Sequence, residues 1–130
     1  MSAGVTWTAA AAVAGGSAFG ALCRWGAGLW LNARLQGFPL GTLFVNVVGG
    51  LLIGAAIAWF ETRPFDHLRL FVTTGVLGGF TTFSAFSAES LALLQRGQWS
   101  LALTHTLVHV LGALACAALG VMLMRTVAGP

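Results

Sequence analysis

The sequence predicts an all-α membrane protein with four transmembrane helices in a single domain. Of its 130 residues, 58% are hydrophobic and 7% are charged, whereas about a quarter of the residues in soluble domains are charged. Apolar runs of about 20 residues, the length that crosses a bilayer core, recur along the chain. We predict spans over residues 9–31, 41–60, 70–94 and 99–124, joined by short polar segments.

Tryptophans mark the predicted ends of these spans. Trp7, Trp30, Trp59 and Trp99 all fall close to an end, and tryptophan prefers the interface between lipid and water. The spacing of Trp7 and Trp30 corresponds to about 34 Å of helix, which is enough for one bilayer core. Since the first residues lack the basic region of a cleaved signal, we expect the first run to remain as a span.

Glycines four residues apart occur in three of the predicted spans: Gly16 with Gly20, Gly50 with Gly54, and Gly75 with Gly79. Small residues at this spacing let helix backbones approach closely in lipid. Alternatively, membrane helices simply tolerate glycine. Either interpretation predicts a compact bundle.

The arginines give almost no signal for the orientation of the chain. Arg63, Arg69 and Arg125 fall on the side that holds both termini, and Arg34 and Arg96 fall on the other. The positive-inside rule depends on an excess of such residues on one side. We therefore expect the chain to insert in both orientations and to pair with an inverted copy of itself.

Composition and spacing exclude several classes of function. The net charge is +3, but the arginines are scattered singly, whereas nucleic-acid-binding proteins cluster their basic residues, so we expect no nucleic-acid partner. Cys23 and Cys116 lie inside apolar runs and imply no disulfide framework. Glu89 and the histidines of the last span come with no nucleophile or cofactor loop at a useful spacing. We therefore expect no enzyme.

The third predicted span carries most of the polar chemistry, reading GVLGGFTTFSAFSAES from Gly75. Gly78 and Gly79 have weak helix propensity, and the hydroxyls of Thr81 and Thr82 compete for backbone hydrogen bonds. We expect the helix to break near Gly78–Thr82. Broken backbone at membrane depth persists where it is buried in protein or lines a wet cavity. Its freed carbonyls are good ligands for a hard cation such as Na⁺.

Phenylalanines and one asparagine accompany this break. Phe80, Phe83 and Phe86 recur at a three-residue spacing on one helix face. Such a stripe most often serves packing, although the positive ring edges can also contact an anion. Asn46, in the middle of the second span, needs hydrogen-bond partners in lipid. It either joins helices or donates N–H to a dehydrated anion.

Three segments resemble the CrcB/Fluc family of fluoride channels: residues 78–89 (GGFTTFSAFSAE), 41–50 (GTLFVNVVGG) and 20–25 (GALCRW). The resemblance spans the whole chain. It implies a fluoride-selective channel. Because the sequence has no Walker loop and no carboxylate pair for proton-coupled pumping, we expect passive export, which reduces the toxicity of fluoride in the cytoplasm. A compact chain without a cleaved signal suits a bacterial inner membrane. The resemblance also implies an antiparallel, dual-topology homodimer with two fluoride pathways and a structural Na⁺ at its centre.

The same resemblance implies roles for individual residues. Gly78 and Thr81 match positions whose backbone carbonyls hold the Na⁺. The fluoride pathway would include further residues of the matched segments: Arg24, Thr42, Asn46, Phe83, Ser84, Phe86 and Glu89.

His105 and His109 depart from the family pattern, which has a tyrosine and a serine at these positions. The two histidines share a helix face, and we place them in the fluoride pathway as N–H donors or as protonated groups that attract the anion. The alternative is a pair of neutral histidines bonded to their helix neighbours. Two imidazoles without a third ligand make a poor metal site.

Two other functions suit a membrane protein of this size. A dual-topology multidrug exporter needs a membrane-embedded carboxylate in the first span, where the only charged residue is Arg24. A non-transporting scaffold needs only packing residues. It does not account for Asn46 and the hydroxyl residues around Phe83.

Overall fold

A computed structural model describes residues 5–129, and within these residues every regular element is helical, which confirms the all-α prediction. Helix α1 spans Trp7–Leu31 and α2 spans Leu40–Phe60. The next stretch, Asp66–Gln95, is called the broken helix below. Its parts are α3 (Asp66–Arg69), a π-helix (Leu70–Leu77), α4 (Gly78–Phe80) and α5 (Phe83–Gln95). Helix α6 spans Trp99–Ala128.

Three helices among residues 5–129 are long and apolar enough to cross a membrane, namely α2, the broken helix and α6. Helix α1 has 25 residues, but its glycines and Arg24 lower its hydropathy. Large apolar side chains cover the outside of α6, where Leu111 is 59% and Leu114 is 67% exposed. A soluble protein would bury such a surface, so the chain is a multi-pass membrane protein.

The helices alternate in direction, and contacts at one end of the bundle show this. Thr8 near the start of α1 is hydrogen-bonded to His67 near the start of the broken helix, with Oγ1 and Nε2 3.2 Å apart. Arg125 near the end of α6 pairs with Glu61, which follows α2, at 2.8 Å. Helix α1 and the broken helix therefore run in one direction, and α2 and α6 run in the other.

The broken helix packs against α1 through the predicted glycines. A methyl group added to Gly16 would lie 2.9 Å from the Cα of Gly75, and one added to Gly79 would lie 2.9 Å from the Cα of Ser17. Gly20 faces the backbone of the π-helix in the same way. Only glycine fits such an approach, so these residues hold the two backbones in contact.

Helices α2 and α6 pack along each other over much of their length. A methyl group on Gly54 would overlap the carbonyl oxygen of Ala117, and one on Gly120 would overlap that of Leu51. Val45 on α2 has no exposed surface. This tight interface sets the register between α2 and α6, and so positions the polar residues on both helices.

Candidate functional site

The broken helix is interrupted at Thr81 and Thr82, within the segment where the sequence predicts a break. The backbone is extended at Thr81 (φ −88°, ψ 159°) and at Thr82 (φ −153°, ψ 117°). Thr82 Oγ1 accepts a hydrogen bond from the N–H of Ala85 at 3.1 Å, as a helix N-cap does. The threonine that weakens one helix therefore also starts the next.

The side chain of Asn46 pairs with the backbone of this break. Its Oδ1 accepts a hydrogen bond from the N–H of Thr82 at 2.8 Å, and its Nδ2 donates one to the carbonyl of Thr82 at 3.0 Å. Either backbone group would cost about 1–3 kcal/mol if it were buried without a partner. Asn46 thus joins α2 to the broken helix. The amide carries two N–H groups, and this pairing uses one of them.

The break releases the backbone carbonyls of Gly78 and Thr81. In an uninterrupted α-helix they would accept hydrogen bonds from the N–H groups of Thr82 and Ala85. Those two N–H groups donate instead to Asn46 Oδ1 and to Thr82 Oγ1. Carbonyls of unwound helix segments coordinate Na⁺ in other membrane proteins. The two residues predicted to bind Na⁺ therefore have the right donor chemistry for that ion.

An open groove of about 470 Å³ runs beside the break. It is lined by residues of both predicted sets: Asn46, Phe83, Phe86, His109, Gly78 and Thr81. The ring of Phe83 is 77% exposed, whereas that of Phe86 is 8% exposed, and the two ring centroids are 5.5 Å apart. The fold thus gathers an amide, two aromatic rings and the freed backbone in one place.

A second polar group adjoins the groove, and we call Thr42, Glu89, His105 and His109 the Glu89 cluster. Thr42 Oγ1 donates a hydrogen bond to Glu89 Oε1, and Glu89 Oε2 lies 3.6 Å from His105 Nε2. His109 Nδ1 lies 2.9 Å from the backbone carbonyl oxygen of His105. His105 has no exposed surface and His109 is 4% exposed.

The hydrogen bonds of the Glu89 cluster determine what its members offer to a ligand. Because a carbonyl oxygen only accepts, His109 donates its Nδ1–H to it, and a neutral ring then has a lone pair on Nε2. Thr42 has already donated its only hydroxyl proton to Glu89. Both residues therefore present acceptors, which suit a cation better than an anion.

The sequence of residues 11–121 matches the family described as CrcB-like protein, Camphor Resistance (CrcB). The chain belongs to the CrcB-like family. A relative from Aromatoleum aromaticum is 48% identical over 122 residues, which cover 92% of this chain and 93% of the relative. A relative from Marinobacter nauticus is 45% identical over 125 residues, which cover 95% and 99% of the two chains. Both relatives are named fluoride-specific ion channel FluC.

Five predicted pathway residues of this CrcB-like chain lie outside the lining of the groove: Thr42, Glu89 and His105 of the Glu89 cluster, and Arg24 and Ser84. Arg24 on α1 donates from Nε to the carbonyl of Gly79 at 3.0 Å, and it lines a separate cleft of about 520 Å³ with Thr42 and Thr82. Ser84 is exposed at the start of α5, where its Oγ lies 3.2 Å from Thr82 Oγ1. Arg24 therefore binds the break from the side of α1.

Two features of the site are absent from the sequence-based predictions. The π-helix leads into the break, with the N–H of Gly78 donating to the carbonyl of Thr73, five residues earlier. π-Helical turns are rare in proteins, and those that do occur frequently lie at functional sites. The fold also brings Glu89 beside His105 and His109, so the prediction that these histidines lack a third metal ligand is wrong. The carboxylate comes from another helix, so spacing along one span does not reveal it.

Proposed function

We propose that this chain is a fluoride-selective ion channel, which lets fluoride leave the cytoplasm passively and so reduces its toxicity. Relatives named as such channels match nearly the whole chain. The groove beside the break is the main structural support for this proposal, because it brings an amide N–H and two aromatic rings together at membrane depth. A channel performs no covalent chemistry, and the expectation that the chain is not an enzyme is confirmed by its family.

In this proposal, fluoride exchanges part of its hydration shell for contacts with the groove. The hydrogen edge of a phenylalanine ring is partly positive, so Phe83 and Phe86 attract the anion without carrying a full charge. The two bonds between Asn46 and Thr82 fix the plane of the amide, and its second N–H therefore keeps one direction. A donor that is already oriented needs little reorganisation when the ion arrives.

We also propose that α1 is the fourth span. Its 25 residues correspond to about 38 Å of helix, which exceeds the bilayer core. It packs backbone to backbone on the broken helix, so the two helices share one depth in the membrane. We place the chain in the bacterial inner membrane, where the inside-negative potential drives an anion outward.

A second copy in antiparallel orientation would cover the groove. The ring of Phe83 is 77% exposed in the single chain, and irregular backbone beside it does not persist against lipid. The near balance of arginines between the two sides permits both orientations. C-terminal reporter tags should therefore appear on both faces of the membrane, and tags confined to one face would contradict the antiparallel dimer.

A structural Na⁺ is proposed at the carbonyls of Gly78 and Thr81. Their helical hydrogen-bond partners are engaged elsewhere, which supports a role as cation ligands. A bound Na⁺ would stabilise the backbone at the break and offset part of the charge of a passing anion. Replacing Na⁺ by N-methylglucamine should lower the melting temperature of the detergent-purified protein. A melting temperature that does not depend on Na⁺ would contradict this part of the proposal.

Ion release from liposomes tests the channel itself. Liposomes that contain the purified protein and fluoride receive valinomycin, and a fluoride electrode records the release, beside an identical chloride experiment. Fluoride should leave far faster than from empty liposomes, and chloride should not. Folded protein that releases no fluoride above the empty control, or releases both anions equally, would contradict the proposal.

A further inference from the structure

The Glu89 cluster has the composition and geometry of a binding site for a transition metal. We propose that Glu89, His105 and His109 bind a divalent first-row cation such as Zn²⁺. Each residue offers one ligand atom, and these three atoms lie within 4.8 Å of one another. The inference rests on this geometry and does not depend on fluoride conduction.

All three residues have buried side-chain atoms without a hydrogen-bond partner in the described part of the chain. Within residues 5–129, the buried side-chain atoms without a hydrogen-bond partner include Glu89 Oε2, His105 Nε2 and His109 Nε2. Buried polar atoms are nearly always paired in proteins. Three residues that carry unpaired buried atoms and whose possible ligand atoms lie within 4.8 Å of one another point to one ligand shared by all three.

The hydrogen bonds of His109 and Glu89 are of the kind that metal ligands use, whereas His105 Nδ1 has no partner among the described residues. His109 donates its Nδ1–H to the carbonyl of His105 at 2.9 Å, which leaves a lone pair on Nε2 as its possible metal ligand. Thr42 donates to the other oxygen of the Glu89 carboxylate, which restrains that group. Metal sites use such outer hydrogen bonds to set the tautomer and to orient the ligands.

The donor set indicates which cation would bind. Two imidazole nitrogens and one carboxylate oxygen suit Zn²⁺ or Co²⁺, whereas Na⁺ and Mg²⁺ prefer oxygen ligands alone. The 3.6 Å between Glu89 Oε2 and His105 Nε2 is near the roughly 3.3 Å between ligand atoms around a tetrahedral Zn²⁺ with bonds of about 2.0 Å. His109 would close the remaining distance by a side-chain movement. Water or a small anion would complete the coordination.

The cluster is reachable from two cavities. His109 lines the groove of about 470 Å³, and Glu89 lines a second pocket of about 260 Å³ together with Phe38 and Arg96. A cation can therefore approach from either cavity although His105 itself is fully buried.

Metal binding is measured directly on the full-length protein in detergent, purified through a tag without histidines. The protein is freed of metal with a chelator and dialysed against Zn²⁺, and bound zinc is counted per chain by mass spectrometry. Wild type should hold one Zn²⁺ per chain, and Glu89→Gln and His109→Gln should lose it. His67→Gln changes the remaining histidine of the three in the chain and should retain it.

Co²⁺ adds a spectroscopic readout, since a site with three protein ligands should give visible d–d bands that vanish in Glu89→Gln and in His109→Gln. Size-exclusion chromatography identifies the variants that remain folded. One folded variant, either Glu89→Gln or His109→Gln, is enough for the test. No zinc on folded wild type, undiminished zinc on a folded Glu89→Gln or His109→Gln variant, or loss of zinc in folded His67→Gln would overturn the proposal. None of these outcomes depends on whether the chain conducts fluoride.

Discussion

The two polar regions of the bundle differ in how completely their groups are paired. At the break, the amide of Asn46 bonds both backbone groups of Thr82. In the Glu89 cluster, one carboxylate oxygen and both histidine Nε2 atoms have no partner among the described residues. Paired polar groups explain how a broken helix survives in lipid, whereas unpaired ones point to a ligand. Substitutions should therefore destabilise the first region far more than the second.

Removing the side-chain amide of Asn46 should lower the stability of the protein more than any other substitution considered below. Asn46→Leu leaves the N–H and the carbonyl of Thr82 without their partner, at a cost of about 1–3 kcal/mol for each group. We expect a large fall in the melting temperature in detergent and a loss of fluoride release. Asn46→Asp is the control, because it keeps the oxygen that accepts from the N–H of Thr82 and, as the neutral acid that burial favours, can still donate to the Thr82 carbonyl, so it should lose less stability. A melting temperature unchanged in Asn46→Leu would show that this pairing does not hold the break.

Removing the helix cap at Thr82 should lower the thermal stability moderately. Thr82→Ala removes the hydroxyl that accepts from the N–H of Ala85, and the loss of such a cap costs about 1 kcal/mol. Thr104→Ala is the matched control, since that hydroxyl only bonds the carbonyl of Ser100 within its own helix. Thermal unfolding of both variants checks the difference. Equal melting temperatures would mean that α5 starts without help from this cap.

The carboxylate of the Glu89 cluster should contribute least to stability. Glu89→Gln keeps an oxygen to accept from Thr42 and removes a half-buried charge, so we expect a melting temperature at or above that of wild type without added metal. Glu61→Gln loses an exposed ion pair with Arg125, which is worth about 0–1 kcal/mol, and serves as the comparison. If Glu89→Gln instead lost the 3–5 kcal/mol or so typical of a broken buried ion pair, the carboxylate would be structural.

The sequence is sufficient to predict the features that depend on local pattern. Apolar runs and flanking tryptophans such as Trp99 indicate where helices start and end, and α6 does begin at Trp99. The Gly78–Gly79 pair with two threonines predicts the break, because propensity and hydroxyl competition act within one segment. The glycines four residues apart likewise predict backbone contact, as Gly16 and Gly75 show.

The features that the sequence does not reveal depend on the register between helices. The bond of Asn46 to Thr82, rather than to another side chain, follows from how α2 lies against the broken helix. Glu89 reaches His105 and His109 only because α5 packs on α6. The sequence does not reveal the direction of a hydrogen bond for the same reason. The Thr42 hydroxyl is a possible donor to an anion, but in the fold it donates its hydrogen bond to Glu89.

Fluoride release from liposomes with two matched phenylalanine variants tests most directly whether the groove beside the break carries the ion. Phe83→Ile removes the exposed ring in the groove. Phe19→Ile makes the same change on α1, where the ring is 58% exposed and lies outside the groove lining. We predict that folded Phe83→Ile protein loses fluoride release while Phe19→Ile releases fluoride like wild type. Release at the wild-type rate from Phe83→Ile would contradict the assignment of the pathway to this groove.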